Sequence, residues 1–240
     1  MNVVVFGSGS GTNLEAILRA QKQSKSPSYA IQALFTDRRC RLLDIGQRES
    51  IPVIYYSFVN FFKKQNCQNA QDPNLRHLYD REVAALLQEC AYKNGISIDL
   101  IVLAGYMRLL SPTFLELFPN KVINVHPADL TKLDDRGLRK YVGADAVYDA
   151  LMQGETQTRS SVILVDKDVD AGPLLVSGPW IEYAEGYPVT KEKAQLHQNK
   201  QKELSDWPAC ISAVEMIAEG RLGLDKEGNV FVDRSYVHSK

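Results

Sequence analysis

Two short, continuous apolar runs, at residues 101–104 and 122–125, constrain the fold of this chain more than any other feature. Runs in which apolar and polar residues do not alternate are typical of strands covered on both faces, as in a parallel sheet. The residues between the runs fit a short helix, so the stretch predicts strand, helix, strand. Ligands of such sheets bind just beyond the carboxyl ends of the strands. We therefore expect the residues that follow the two runs to lie at one edge of the sheet.

Candidate catalytic groups lie at the ends of these two runs. Tyr106, Met107 and Arg108 follow the first run, and the second contains Asn124 and ends at His126. Asn124 and His126 are two residues apart on an extended chain, so their side chains point to the same face. An amide donor and an imidazole can together stabilise an oxyanion and move a proton. The alternative is a buried structural histidine at the end of a strand.

A glycine-rich segment, GSGSGTN at residues 7–13, follows the first apolar run and precedes a helical pattern. Glycines let backbone N–H groups approach a ligand, and the N-terminus of a helix favours an anion. The segment therefore predicts a phosphate site at Ser10, Gly11, Thr12 and Asn13. It is neither a complete dinucleotide fingerprint nor a Walker loop, because no lysine follows. The alternative is an ordinary turn in which Ser10 or Thr12 caps the helix.

The alternation of strand and helix patterns predicts an α/β fold with a doubly wound, Rossmann-like, mostly parallel sheet. The other predicted strands lie at residues 30–35, 52–56, 161–165 and 174–176, and predicted helices at 40–49, 78–91 and 144–153. Toward the C-terminus we expect a long helix from Thr190 to about Glu219, interrupted near Pro208, and a small hairpin around Gly228.

Two polar segments interrupt these patterns. Residues 61–76 read as a surface excursion, with Pro73 near the start of the next helix. Residues 129–141, DLTKLDDRGLRKY, follow the candidate histidine closely. A polar segment at that position is either a mobile cover over the site or a solvated connector.

Composition argues against several functional classes. The net charge of -1 gives no indication of a nucleic-acid partner. No apolar run approaches the roughly 18 residues of a membrane span. The four cysteines form no CxxC pair, and the chain begins with a strand-like segment rather than a secretory leader, so we expect reduced thiols in a cytoplasmic protein. No cluster of histidine, cysteine and carboxylate residues suggests a metal site.

Four segments taken together resemble the folate-dependent formyltransferases. They are GSGSGTN at 7–13, LAGYMRLLSP at 103–112, NVHP at 124–127 and DVDAGP at 168–173. Their order and spacing are most similar to those of the glycinamide ribonucleotide transformylases, and AEGRL at 218–222 extends the similarity toward the C-terminus. The combination is specific, whereas each segment alone is not.

The resemblance implies an organisation and an activity. One formyltransferase domain would span residues 1–240, with a nucleotide- and phosphate-binding half at 1–125 and a folate-binding half with the C-terminal extension at 126–240. The implied enzyme transfers the formyl group of 10-formyl-tetrahydrofolate to the amine of glycinamide ribonucleotide in purine biosynthesis, without a metal. Its partners would be these small molecules, with no nucleic acid or membrane, and it would be a monomer or a homodimer.

The resemblance also implies roles for individual residues. Asn124, His126 and Asp170 would be the catalytic triad, the acceptor's phosphate would bind at residues 10–13, and Glu203 would approach the acceptor's ribose. The pterin would lie against two groups of residues, namely Tyr106, Met107 and Arg108, and Asp166, Lys167, Asp168 and Val169.

The segment after His126 leaves the acceptor open. It reads PADLTKLDDRGLRKYVGADAVYDAL, where the family usually has a proline-containing segment. Its YVGADAVYDA run is similar to that of the formyl-tetrahydrofolate deformylases, in which the acceptor is water. The alternatives are therefore a formyl-tetrahydrofolate hydrolase and a formyltransferase that acts on another amine, such as an amino sugar nucleotide. A non-catalytic folate- or nucleotide-binding module is a third alternative, but such a module has no need of all three triad residues.

Overall fold

The computed structural model describes residues 1–67, 69, 72–233 and 235–236. The chain forms two compact units, Met1–Ile123 and Asn124–Lys240. The described strands are β1 (Asn2–Phe6), β2 (Ala30–Thr36), β3 (Val53–Tyr55), β4 (Leu100–Leu103), β5 (Val122–His126), β6 (Gln157–Thr158), β7 (Ser161–Leu164), β8 (Leu174–Ser177), β9 (Ile181–Glu182), β10 (Leu222–Leu224), β11 (Val230–Val232) and β12 (Ser235–Tyr236). The described α-helices are α1 (Thr12–Gln23), α2 (Leu42–Glu49), α3 (Phe58–Lys64), α4 (Pro73–Asn94), α5 (Pro112–Leu117), α6 (Ala146–Met152), α7 (Lys191–Gln201) and α8 (Trp207–Ala218).

The first unit is built on parallel strands in the order β3-β2-β1-β4. The pairs β1–β2, β1–β4 and β2–β3 are all parallel. All four residues of β4 and four of the five in β1 are buried, which is why their sequences are continuous apolar runs. The carboxyl ends of these strands point the same way, so the segments that leave them share one edge.

The first residues of the predicted surface excursion at 61–76 are helical. Residues 61–64, predicted as irregular, are the second half of α3, and Ser57 caps this helix by accepting from the N–H of Asn60 at 3.2 Å. The prediction was wrong because three phenylalanines of α3 bury their rings, and one of them, Phe58, packs against Tyr79 of α4 with ring centroids 5.0 Å apart. Helix α4 begins at Pro73, as expected. Residues 68, 70 and 71 of this segment lie outside the described part of the chain.

The second unit contains the strand order β5-β7-β8, in which β7 and β8 are antiparallel. Strand β7 is completely buried, and α8 contributes Cys210, Ala213 and Val214 to the core of this unit. The short strands form two further small sheets, β6-β9 and β10-β11-β12. The predicted mostly parallel α/β sheet with a C-terminal helix and hairpin is confirmed.

The predicted long C-terminal helix is interrupted before Pro208 rather than at it. A π-helical turn, Lys202–Asp206, joins α7 to α8. Pro208 lies in the first turn of α8, directly after this π-helical turn. Among the residues that the structure describes, no helix combines the length and the apolar character that crossing a membrane requires.

Candidate active site

The glycine-rich segment connects β1 to α1 and is fixed by both strands that flank β1. The N–H of Gly7 donates to the carbonyl of Phe35, at 3.1 Å, and the N–H of Ser8 donates to the carbonyl of Gly105, also at 3.1 Å. These two carbonyls belong to β2 and to the end of β4. The segment therefore lies at the carboxyl ends of the strands, where α/β sheets bind ligands.

Gly11 determines how α1 begins. It is the N-cap residue, with a φ of 69°, and a Cβ added there would lie 2.6 Å from Cδ1 of Ile45. Both its backbone conformation and its packing favour glycine. No side chain caps α1, so the alternative in which Ser10 or Thr12 caps the helix is wrong. The first N–H groups of α1 are left without a side-chain acceptor, which suits an anion site.

The residues predicted to bind phosphate differ in exposure. Ser10 is exposed, Thr12 is half-buried, and their hydroxyl oxygens are 3.5 Å apart. Asn13 is only 9% exposed, and within the described chain its Oδ1 has no hydrogen-bond partner. Nearly all buried polar side-chain atoms have such a partner. Asn13 Oδ1 can therefore accept from a hydrogen-bond donor, whereas a phosphate oxygen could be bound only by the amide nitrogen of this residue.

Asp37 is a buried carboxylate that sequence reasoning missed. It directly follows β2, and its side chain has no exposed surface. It accepts from the hydroxyl of Ser8 at 2.6 Å, from Nε of Arg108 at 3.0 Å and from Nη2 of Arg38 at 3.0 Å. Burial alone would raise the pKa of Asp37, but the hydrogen bonds from Arg38, Ser8 and Arg108 outweigh it and hold that pKa below its ordinary value.

The three residues after β4 are held in different ways. Tyr106 is buried, with its ring centroid 5.4 Å from that of Phe6, and burial raises the pKa of its hydroxyl. Met107 donates its N–H to Ser8 Oγ at 3.1 Å and leaves its side chain exposed. Arg108 is held by Asp37 and lies 4.1 Å from the ring centroid of Phe58. Of the three side chains, that of Met107 is the one available to a flat ligand.

The predicted triad comes together in the second unit. Asn124 and His126 lie on β5, and Asp170 lies in the connection between β7 and β8. The distance from His126 Nδ1 to Asp170 Oδ2 is 3.3 Å, and Asn124 Nδ2 donates to Asp170 Oδ1 at 3.4 Å. One carboxylate therefore faces both an imidazole and an amide.

Both ring nitrogens of His126 face atoms that can only accept. Nδ1 faces the carboxylate of Asp170, and Nε2 lies 2.9 Å from the main-chain carbonyl of Tyr141. The ring is 3% exposed, so water offers little alternative. A carbonyl can only accept, so Nε2 donates to Tyr141, and Nδ1 faces the carboxylate of Asp170 within the distance of an ion pair.

Asp170 occupies a tightly built turn. Its φ is 50°, a left-handed conformation that aspartate tolerates better than most residues. Two residues later, a Cβ at Gly172 would lie 1.9 Å from the carbonyl oxygen of Leu164, so only glycine lets the turn approach the end of β7. The predicted pterin-binding residues of this turn, Lys167, Asp168 and Val169, have exposed side chains. Asp166 accepts the N–H of Asp168 at 3.0 Å and stabilises the turn locally.

The segment predicted to be irregular after His126 is an ordered hairpin. The N–H of Lys140 donates to the carbonyl of Lys132 at 2.9 Å, and Leu133 and Arg139 form an isolated antiparallel bridge. At the tip, Asp134 accepts the N–H groups of both Arg136 and Leu138 at 2.9 Å. The hairpin continues into Tyr141, whose carbonyl meets His126. A segment that ends in a contact with the triad is not a purely solvated connector, and its role as a cover stays a prediction.

A buried polar network supports the peptide that follows His126. Gln201 of α7 donates to the carbonyl of Pro127 at 2.8 Å and to Ser160 Oγ at 3.2 Å, and Ser160 in turn donates to Asp206. Burial raises the pKa of Asp206 despite that hydrogen bond. Glu203, predicted to approach a ribose, lies on the same π-helical turn as Asp206 with its side chain exposed.

Neither metal-ligand clusters nor disulfides are found in the described ranges. No group of three or more histidine, cysteine or acidic residues there is placed to hold a metal ion. Cys40, Cys67, Cys90 and Cys210 are free thiols. Burial raises the pKa of the Cys210 thiol to about 12, so this cysteine is an unreactive core residue.

Comparisons with known proteins identify the family that the chain is similar to. A profile of the family described as formyl transferase matches residues 1–202. The phosphoribosylglycinamide formyltransferase of Mycobacterium tuberculosis (strain CDC 1551 / Oshkosh) is 33% identical over 177 residues, which cover 74% of this chain and 69% of that protein. Among solved structures, the phosphoribosylglycinamide formyltransferase of Coxiella burnetii, in complex with CHES, has a TM-score of 0.73 and 26% identity, covering 99% of this chain and 96% of that one.

A further relative is much longer than this chain. The trifunctional purine biosynthetic protein adenosine-3 of Homo sapiens is 26% identical over 228 residues, which are 95% of this chain. The chain spans only 19% of that protein's length. The similarity therefore concerns one part of the human protein.

Proposed function

The chain belongs to the formyl transferase family, and from this premise we propose that it transfers the formyl group of 10-formyl-tetrahydrofolate to the amine of glycinamide ribonucleotide. The relatives from M. tuberculosis and C. burnetii, both phosphoribosylglycinamide formyltransferases, support this acceptor. The observation that carries the proposal is the convergence of Asn124, His126 and Asp170 around one carboxylate. A binding module would not need a proton-exchanging ring held between two acceptors.

The two donors of the triad suit the charge that develops during formyl transfer. When the acceptor amine attacks the formyl carbon, the formyl oxygen becomes an oxyanion. Asn124 Nδ2 and a doubly protonated His126 would donate to it, and removing one such donor typically costs about 2.7–4 kcal/mol of barrier. His126 Nε2 now donates to the carbonyl of Tyr141, so the formyl oxygen would have to share or replace that acceptor.

Proton movement completes the reaction. A bond forms between the acceptor nitrogen and the formyl carbon, and the acceptor nitrogen loses a proton. The bond from that carbon to N10 of the folate then breaks, and N10 gains a proton to give tetrahydrofolate. Asp170, with His126 as its neighbour at 3.3 Å, would accept the first proton and help return it to the leaving nitrogen, directly or through water.

The remaining predicted contacts assign places to the two substrates. The acceptor's phosphate would bind the uncapped N-terminus of α1 at residues 10–13, with Glu203 near the ribose. The pterin would lie against the exposed side chain of Met107 and against the turn at residues 166–169.

The exposed Ser10 offers a direct probe of the phosphate site, because Ser10→Asp adds a charge that repels phosphate without burying that charge. We expect this variant to raise the KM for the acceptor much more than that for the folate, with Ser10→Ala as the control for loss of the hydroxyl.

The decisive experiment measures loss of the formyl group from 10-formyl-tetrahydrofolate by absorbance, with and without glycinamide ribonucleotide. Turnover that depends on the ribonucleotide, with formylated ribonucleotide as the product, is the expected result. Equal turnover without it, with release of formate, would contradict the proposal and identify water as the acceptor. No turnover in either reaction would also contradict it, and amino sugar nucleotides would be the next acceptors to supply.

A further inference from the structure

Three alternate residues of the segment 139–143 contact the triad. Arg139 contacts the main chain of Asp170, Tyr141 accepts from His126, and the N–H of Gly143 donates to Asp170 Oδ2 at 3.0 Å. The segment 139–143 therefore contacts the catalytic residues at three points.

Arg139 makes the most extensive of these contacts. Its Nη1 donates to the carbonyl of Asp170, and its Nη2 donates to the carbonyl of Gly172 at 2.7 Å. A guanidinium is a rigid fork, so two carbonyls bound by one fork are fixed relative to each other. These carbonyls belong to the turn whose left-handed residue is Asp170 and whose Gly172 packs on Leu164. Arg139 therefore holds the backbone that aims the Asp170 carboxylate.

The segment that carries Arg139 is itself anchored. The ring of Tyr141 is 2% exposed, and it belongs to a buried cluster with Ala128, Ala146 and Ala150. Its hydroxyl donates to Glu155 Oε1 at 3.0 Å. Because Tyr141 is fixed, the guanidinium two residues earlier is supported from a rigid point rather than from a free loop.

We propose that Arg139 is a positioning residue that fixes Asp170 against His126, so that the hairpin after the NVHP segment is part of the catalytic support. The inference rests on the proposed function, because positioning acquires a consequence only if Asp170 acts in formyl transfer. Arg139 acts through Asp170 and is not required to touch either substrate.

Three variants test this role. Arg139→Ala removes both hydrogen bonds, Arg139→Lys keeps the charge but replaces the rigid fork with a compact ammonium group, and Arg136→Ala is the matched control. Arg136 lies on the same hairpin with a side chain 77% exposed, and it pairs with Asp134.

Misplacement of a catalytic group by about 1 Å can cost about 100-fold in rate. We expect kcat to fall by about that factor in Arg139→Ala with the folate KM unchanged, by an intermediate factor in Arg139→Lys, and not at all in Arg136→Ala.

A second readout does not depend on activity. The N–H of Gly143 is bound by Asp170 Oδ2, so hydrogen exchange at Gly143 reports whether that carboxylate stays in place. We expect this exchange to be faster by at least about tenfold in Arg139→Ala, because local opening becomes easier, and unchanged in Arg136→Ala. A wild-type protein without formyl transfer would contradict the proposed function, while the exchange comparison would still decide the role of Arg139. Wild-type kcat together with wild-type exchange at Gly143 in Arg139→Ala would overturn the inference.

Discussion

Asp37 in the first unit and Asp170 in the second are both carboxylates placed just beyond strands, yet they are held in opposite ways. Asp37 has no exposed side-chain surface and is bound by the guanidinium groups of Arg38 and Arg108 as well as by Ser8. Asp170 retains 11% exposure, and its partners are the ring of His126, the amide of Asn124 and one main-chain N–H.

The difference shows how the partners of a buried carboxylate distinguish a structural role from a catalytic one. Guanidinium groups do not release protons at physiological pH, so Asp37 is fixed in charge and joins the glycine-rich segment to the residues after β4. His126 can exchange protons, and its 3.3 Å contact with Asp170 is longer than an optimal charge-assisted hydrogen bond. Asp170 therefore faces a partner that can exchange a proton, whereas Asp37 faces partners that cannot.

The comparison predicts its largest effect for Asp170→Asn. The amide keeps the size of the side chain but can direct N–H toward His126 Nδ1, and proton transfer through the pair is lost. Positioned acid–base groups contribute about 10²–10⁴-fold, so kcat for formyl release should fall by a factor in that range with little change in thermal stability. The measurement is steady-state turnover at saturating folate and acceptor.

Asp145→Asn is the control for Asp170→Asn, because Asp145 is an exposed carboxylate that caps no helix N–H groups. It should retain wild-type turnover. If Asp170→Asn behaved like this control, the carboxylate in the second unit would be structural and the contrast with Asp37 would disappear.

Asp37→Asn should instead act on stability. It weakens hydrogen bonds to charged partners, which contribute about 1.5–3 kcal/mol each in buried settings and less for the partly exposed Arg38. We expect a loss of about 1–3 kcal/mol in the free energy of unfolding at neutral pH, measured by urea denaturation. Asp44→Asn, at an exposed site on α2, should lose much less.

The acid limb of the stability curve tests the same contrast. The pKa of Asp37 is below its ordinary value of 3.8 in the folded protein, so the unfolded chain binds a proton first as pH falls. The stability that Asp37 contributes is therefore present above about pH 3.8 and is lost as pH decreases through the folded value. The wild type and Asp37→Asn should differ at pH 7 and converge below pH 3.8. A constant difference across this range would show that the charge of Asp37 is irrelevant.

Asp206→Asn is predicted to have the smallest effect, with the opposite sign of pH dependence. Burial raises the pKa of Asp206 in the folded protein, and Ser160 offsets this only in part. Charging Asp206 therefore costs stability as pH rises above 3.8 toward the raised value. The amide can still accept from Ser160, so the variant should be neutral or more stable than the wild type at pH 8, by less than about 1 kcal/mol. A loss at pH 8 as large as that of Asp37→Asn would contradict this assignment.

The sequence predicted the parts of the fold that depend on burial alone. Strands such as β4 and β7 are continuous apolar runs because every residue in them is buried. The sequence did not reveal α3, because the polar residues at 63–66 outweighed the three phenylalanines whose burial stabilises this helix. Periodicity over so short a helix is too brief to outweigh the polar residues that follow.

The candidate site was predictable where residue type carries the chemistry. Asn124 and His126 could be proposed because an amide and an imidazole two residues apart on a strand can act together, whereas Asp170 was proposed from the resemblance to the formyltransferases. The role of Asp37 was missed because its partners Ser8 and Arg108 are 29 and 71 residues away. The contact of Tyr141 with His126 is made by a main-chain carbonyl. Every residue has such a carbonyl, so the sequence could not indicate this contact.

The most direct test of the account is His126→Ala, measured for formyl transfer and for folate binding in the same preparation. We predict that turnover falls by at least about 10²–10⁴-fold while the Kd for the folate stays close to that of the wild type, because the pterin is assigned to other residues. Wild-type turnover in this variant would contradict the claim that the triad in the second unit performs the chemistry.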